Sequence, residues 1–236
     1  MKARKQSVRI QTSLLNAAEH KVLLWLAVRL PAWVSSDLLT FTGFLGALLI
    51  ATGYTLTVKD IHWLWLACFG LFVNWFGDSL DGTVARVRDT QRPLYGFFID
   101  HTVDCINEAV MFIGVGLSTL MHFPIALMTL VAYLMMSIYV FINAHLKNEF
   151  KLTFARLGPT EFRVVMVIVS ILFMYIAPLR EASWTFDLPV AGPTTLQVLD
   201  LIAIAITVIL VVMYVASIFL DARYYKKADP PKGPAE

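Results

Sequence analysis

Charge is scarce in this chain. Asp, Glu, Lys and Arg make up 15% of its 236 residues, whereas 58% are hydrophobic. Soluble domains carry about 25% charged residues, so a water-facing globular surface is excluded. Mean hydropathy is +0.69, and lipid is the natural solvent for such a chain. Cysteine is nearly absent: Cys68 and Cys105 both lie in apolar stretches. This excludes a disulfide framework, and both read as packing residues. Internal repeats and low-complexity blocks are missing. No cleavable signal peptide is expected either. The N-terminus is basic (Lys2, Arg4, Lys5, Arg9), but no compact apolar core with a small-residue cleavage site follows it. The net charge is only +2, and no nucleic-acid partner is expected.

Long apolar runs are what the chain does have. A bilayer core needs roughly 20 apolar residues per helix. Six segments meet that length, at about 36–56, 61–80, 97–121, 124–145, 160–178 and 196–220. The stretch 13–30 has a continuous apolar part only at 22–28, flanked by Glu19, His20, Lys21 and Arg29. It predicts an amphipathic helix lying in the membrane interface. The expected fold is therefore all-α: a polytopic membrane protein with six transmembrane helices after an N-terminal interfacial helix. Its parts are a cytoplasmic segment 1–35, a transmembrane catalytic domain 36–225 and a disordered cytoplasmic tail 226–236.

Orientation follows from Lys and Arg, which concentrate on the cytoplasmic side. They cluster before residue 30, at Arg86, Arg88 and Arg92, at Lys147, Lys151, Arg156 and Arg163, and at Arg223, Lys226 and Lys227. The opposite side has Lys59, His122 and Arg180. Both termini are thus expected in the cytoplasm, which requires an even number of spans. Trp63, Trp65 and Trp184 fall near the outer ends of spans and read as interfacial anchors. Gly43 and Ala47 have the spacing of a helix-packing or dimer motif.

Against this background four aspartates stand out. Asp78 and Asp81 are three apart at the end of the second segment, and Asp100 and Asp104 are four apart near the start of the third. Those spacings put each pair on one helical face. The connection is short, so the two helices are expected to be antiparallel neighbours with both pairs at one membrane depth. Four carboxylates together need counter-charge. Divalent Mg²⁺ or Mn²⁺ prefers oxygen ligands, and four aspartates suffice for two ions, an arrangement suited to phosphoryl transfer. Gly82 lets a bound group approach the backbone, Arg86 is placed to grip phosphate, and Gly96 leaves room one turn before Asp100. Each part alone has a plainer reading. A lone buried Asp pairs helices, a glycine packs, and the arginines signal topology, the preferred reading for Arg88 and Arg92. A rival from another class is a transporter or proton-coupled carrier, which also uses intramembrane carboxylates. Clustering at one depth counts against it.

The run Asp78-Ser-Leu-Asp81-Gly82-Thr-Val-Ala85-Arg86, then nine residues, then Gly96-Phe-Phe-Ile-Asp100-His-Thr-Val-Asp104 resembles the signature of the CDP-alcohol phosphotransferase family. All eight fixed positions of that signature are matched. The segment Leu39-Thr40-Phe41-Thr42-Gly43 is similar to an entry that family members often carry, with Ser-Ser in place of their Pro-Asn. The resemblance implies a six-helix, commonly dimeric membrane enzyme with a polar cavity open to the cytoplasm. A CDP-alcohol is the implied donor, an acceptor hydroxyl attacks, and CMP leaves. Asp78, Asp81 and Asp100 would bind metal, with Asp104 binding metal or acting as base. Asp78, Gly82, Ala85, Arg86 and Gly96 would hold the CDP moiety. His101 is a second candidate base, because Asp100-His101 resembles the branch that transfers choline or ethanolamine phosphate. Its plain alternative is a structural hydrogen bond.

Two donor types follow from the resemblance. Either CDP-diacylglycerol meets a polar alcohol, or a CDP-amino alcohol meets a lipid alcohol. A phosphorylated acceptor would need further cations, for which Arg163 and Arg156 are candidates. Glu161 is read as pairing with Arg163 or capping its helix. A bacterial inner membrane is slightly favoured over the endoplasmic reticulum.

Overall fold

The computed structural model describes residues 8–10, 16–147, 149–151, 158–188 and 192–230. A short strand β1 (Val8–Ile10) precedes helix α1 (Asn16–Arg29). Then come α2 (Ser36–Thr55), two single 3₁₀ turns, α3 (Leu64–Val87), α4 (Pro93–Gly116) and α5 (Phe123–Lys147). Strand β2 (Glu149–Lys151) pairs in parallel with β1. Helices α6 (Pro159–Tyr175) and α7 (Ala177–Glu181) lead into an antiparallel hairpin, β3 (Ser183–Leu188) and β4 (Gly192–Gln197). The chain closes with α8 (Val198–Ala228).

Helix boundaries follow local chemistry. The Ser35 hydroxyl accepts from the Leu38 amide (3.2 Å) and starts α2. Prolines open α4 and α6, where a missing amide costs nothing. The Glu161 carboxylate accepts from the Gly158 amide (2.9 Å), so it caps α6. Asp200, fully buried, accepts from the amides of Gln197 (2.9 Å) and His122 (2.8 Å) and bonds the His122 ring (2.7 Å). That carboxylate ties the α4–α5 turn to the start of α8.

The helical expectation holds for most of the described chain, to which the hairpin and the β1–β2 pair add two short two-stranded sheets. Six long helices do form at the six expected places. By length and composition, however, three are suited to cross a membrane: Ser36–Val58, Phe123–Leu146 and Val198–Ala228. The acids in α3 and α4 reduce their apolar character, and α6 has only 17 residues. Residues 226–228, expected in the tail, are helical, because α8 continues through Ala228; residues 231–236 lie outside the described residues.

The strongest seam joins α2 to α3 with almost no side chain between them. A Cβ on Gly77 would lie 2.2 Å from the Gly43 amide nitrogen, and one on Gly46 would lie 2.3 Å from that of Asn74. The small-residue spacing at Gly43 and Ala47 is thus used within the chain. Gly114 brings α4 equally close to Ala51 of α2. Around this seam Ile50, Tyr54, Leu64, Ala67, Leu71, Val115 and Phe173 form the main core.

Helix α1 packs Leu23 and Ala27 against Leu39, Leu80 and Val84. Its other face exposes Trp25 and Val28. It is therefore apolar on both faces, with polar residues gathered at its ends, which corrects the amphipathic expectation. Arg88 holds the turn after α1, donating to the carbonyls of Leu30 (2.9 Å), Pro31 (3.0 Å) and Val34. That is a structural clamp beyond the topological role expected for it.

Candidate active site

The α3–α4 turn is tight, and Asp89 within it takes a left-handed φ of 55°, a conformation Asp tolerates better than most residues. Helices α3 and α4 are not the packed neighbours that the short connection predicts: α3 lies on α1, α2 and α6, and α4 on α2 and α5, so aspartates from the second half of α3 and the first half of α4 meet across a gap. Asp78, Asp100 and Asp104 each offer a carboxylate oxygen, and these oxygens lie within 4.8 Å of one another. Asp81 is held differently. Its Oδ2 accepts from the Thr40 hydroxyl (2.7 Å), and its Oδ1 from the Gly82 amide. The Ser36 hydroxyl donates to the Asp81 carbonyl (3.0 Å). The Leu39–Gly43 segment thereby acquires a role: it orients one of the four aspartates.

Three carboxylate oxygens this close repel one another unless a cation joins them. Arg163 supplies one cation. Its Nη2 donates to Asp78 Oδ2 (2.6 Å) and its Nε to Asn74 Oδ1 (3.0 Å). The Asn74 amide in turn donates to the Gly43 carbonyl (2.9 Å). Arg163 Nη1 is buried and has no hydrogen-bond partner among the described residues. The all-oxygen donor set fits a hard divalent cation, and one guanidinium does not balance three carboxylates. The residues present therefore fit Mg²⁺ or Mn²⁺.

Arg86 is exposed, and its Nη2 donates to the Thr83 hydroxyl (3.0 Å). A Cβ on Gly82 would stand 3.3 Å from Arg86 Nη1, so the guanidinium lies over that glycine. Ala85 is half-buried on the same helix. A Cβ on Gly96 would meet nothing within 4 Å. The described chain itself thus does not require glycine there.

His101 is packed among aromatics. Its ring stacks on Phe97 (centroids 4.0 Å apart) and tilts against Phe141 (4.6 Å), with Nδ1 3.4 Å from Asp100 Oδ2. Arg156 lies outside the described residues, as do the side chains of Lys147 and Lys151.

Sequence reasoning missed two residues. Asn74 sits one turn before Asp78, and Glu108 one turn after Asp104. The Oε2 of Glu108 is buried without a partner among the described residues. The signal was available: both continue the four-residue register of the aspartates, as polar residues in apolar surroundings.

Apolar helices thus surround an oxygen-lined cluster whose donors suit a divalent cation. A family model, CDP-alcohol phosphatidyltransferase, matches residues 33–222. The chain belongs to that family. It is 36% identical over 88 residues to a phosphatidylinositol phosphate synthase of Cutibacterium acnes, covering 37% of this chain and 40% of that protein. It is 26% identical over 174 residues to cholinephosphotransferase 1 of Gallus gallus, covering 71% and 51%. With an archaetidylinositol phosphate synthase of Pyrococcus horikoshii it shares 28% over 140 residues, covering 59% and 70%. The chain thus spans about half or less of the first two relatives' lengths. The carrier reading finds no support in these likenesses.

Proposed function

We propose that this protein transfers a substituted phosphate from a CDP-alcohol to an acceptor hydroxyl in phospholipid synthesis, with two Mg²⁺ or Mn²⁺ ions held by Asp78, Asp81, Asp100 and Asp104. The observation that carries this reading is the carboxylate triad within 4.8 Å, joined to Arg163 and embedded in the matched motif. When bound, the ions would neutralise the donor pyrophosphate and favour departure of CMP.

The chain's residues do the rest. Gly82, Ala85, Arg86 and Gly96, with Asp78, hold the CDP moiety. The open space at Gly96 leaves room for such a group. The acceptor oxygen bonds to the phosphorus bearing the alcohol, the bond to the CMP oxygen breaks, and the hydroxyl proton passes to a base. Asp104 is the base in this reading, because it lies in the triad. His101, held between Phe97 and Phe141 beside Asp100, orients that ligand.

The six long helices cross the membrane in this proposal, with both termini cytoplasmic, and the enzyme works as a homodimer. A bacterial inner membrane suits it better than the endoplasmic reticulum. Arg163 binds the acceptor in this reading, and Arg156, which lies outside the described residues, is a second candidate from the sequence. The names of the relatives point to two acceptor chemistries, inositol phosphate and a lipid alcohol. Arg163 supports the first, since its Nη1 remains available to a phosphate.

The test is CMP release by purified protein with Mg²⁺ or Mn²⁺ against CDP-diacylglycerol, CDP-choline and CDP-ethanolamine, each with an alcohol mixture that includes inositol phosphate. Metal-dependent release from one donor is expected and identifies the donor class. Absence of release from all three, with the protein folded, would overturn the reading.

A further inference from the structure

One carboxylate outside the motif is engaged far more heavily than a helix-docking contact requires. Glu19 of α1 accepts three hydrogen bonds on a single oxygen: from Trp75 Nε1 (2.9 Å), Ser79 Oγ (3.3 Å) and Thr160 Oγ1 (2.6 Å). The donors are not scattered. Trp75 and Ser79 form a four-residue stripe on α3, immediately beside the stripe formed by Asn74 and Asp78. Thr160 lies one turn before Arg163 on α6. Glu19 therefore joins α3 to α6 from behind, at the same level where Arg163 joins them from the front through Asn74 and Asp78.

We propose that Glu19 is a positioning residue of the active site: it fixes α6 against α3 so that Asp78 and Arg163 keep the geometry in which the triad binds its cation. The inference rests on the metal site proposed above. A carboxylate takes multiple donors with short, charge-assisted bonds, and outer residues that orient metal ligands set affinity as well as activity. If Glu19 lets go, α6 loses its tie to α3 on the α1 side. Asp78 is then held by Arg163 alone, in a variable register. Helix α1 is in this view part of the catalytic apparatus, and its seating in the membrane interface becomes a condition for metal binding.

The experiment measures Mn²⁺ affinity of the full chain by the loss of free-ion electron paramagnetic resonance signal, alongside thermal unfolding. Glu19→Ala is expected to weaken Mn²⁺ binding about ten-fold, the lower end for an outer-shell change. Glu19→Gln keeps an accepting oxygen and should recover most of that loss. Arg88→Gln releases the other end of α1 without touching Ser79 or Thr160. It should lower the melting temperature yet leave Mn²⁺ affinity within about two-fold of the parent, well short of an outer-shell loss. Thr160→Val removes one donor. It should weaken binding by itself and add little to Glu19→Ala, and it carries the test if Glu19→Ala does not fold. Unchanged Mn²⁺ affinity in Glu19→Ala or, failing that, in Thr160→Val would overturn the proposal. So would an equal loss in Arg88→Gln, which would reduce Glu19 to a docking contact. A parent protein that binds no Mn²⁺ would instead remove the metal site, and this inference with it.

Discussion

Asp81 has both carboxylate oxygens engaged, by Thr40 and by the Gly82 amide, while Asp78 has one oxygen on Arg163. The aspartates therefore differ in what a substitution removes. Asp104→Asn, with nothing else to supply its oxygen, should abolish CMP release while the protein still folds in detergent, and size-exclusion profiles would verify the second half. Thr40→Val leaves every ligand in place but frees Asp81 to turn, and a loss of about ten-fold in kcat is expected, as for other residues that orient ligands. Gly96→Ala tests a different point. The described chain has room for the methyl group, so the melting temperature should hold while KM for the donor rises. At this scale the closeness of Asp78, Asp100 and Asp104 was legible, because charge inside an apolar run has few innocent explanations, whereas the separate seat of Asp81 on Thr40 was not. Asn74 and Glu108 were not read, although they share the register, because a single amide or one more acid draws no notice without knowing what faces it. Arg163 was seen as a cation near the site, but only the fold discloses that it bonds Asp78.

Between α2 and α3 the contact is backbone on backbone. A methyl on Gly77 would stand 2.2 Å from the Gly43 nitrogen, and the neighbour is main chain, which cannot rotate away. Gly77→Ala should cost about 1–3 kcal/mol, the usual range for overpacking, seen as a lower unfolding midpoint in detergent. The long helices were readable from their apolar runs and caps. The hairpin was not. Its strands are six residues each, too short for a two-residue alternation to rise above the surrounding apolar sequence, and Trp184 was taken only for an anchor. The two apolar faces of α1 were missed for a related reason: a helix pattern records which residues are apolar, not how many surfaces receive them.

For the whole molecule, the six-span topology makes a direct prediction. With Cys68 and Cys105 replaced by serine, single cysteines at 59 and 187 should react with a membrane-impermeant thiol reagent added from outside. Cysteines at 89 and 229 should react only after the membrane is opened. Labelling of position 89 from outside would reverse the orientation, and labelling of both 59 and 89 from one side would remove α3 as a span. Most of α8 is exposed, as expected of a helix whose neighbour is lipid.

The glycine seam has a bearing on how a lipid substrate gets in. Two helices in backbone contact have no side-chain layer to slide on, so α2 and α3 can move only as one piece. Thr40, Asp81, Asn74 and Asp78 all belong to that piece. In the proposed reaction any doorway for an acyl chain must then open where α5 and α6 meet the site through side chains that can change rotamer, because Gly114 seats α4 on α2 just as closely. On the proposed function, the site would have a fixed jaw and a moving one, with traffic between membrane and metal using the moving side.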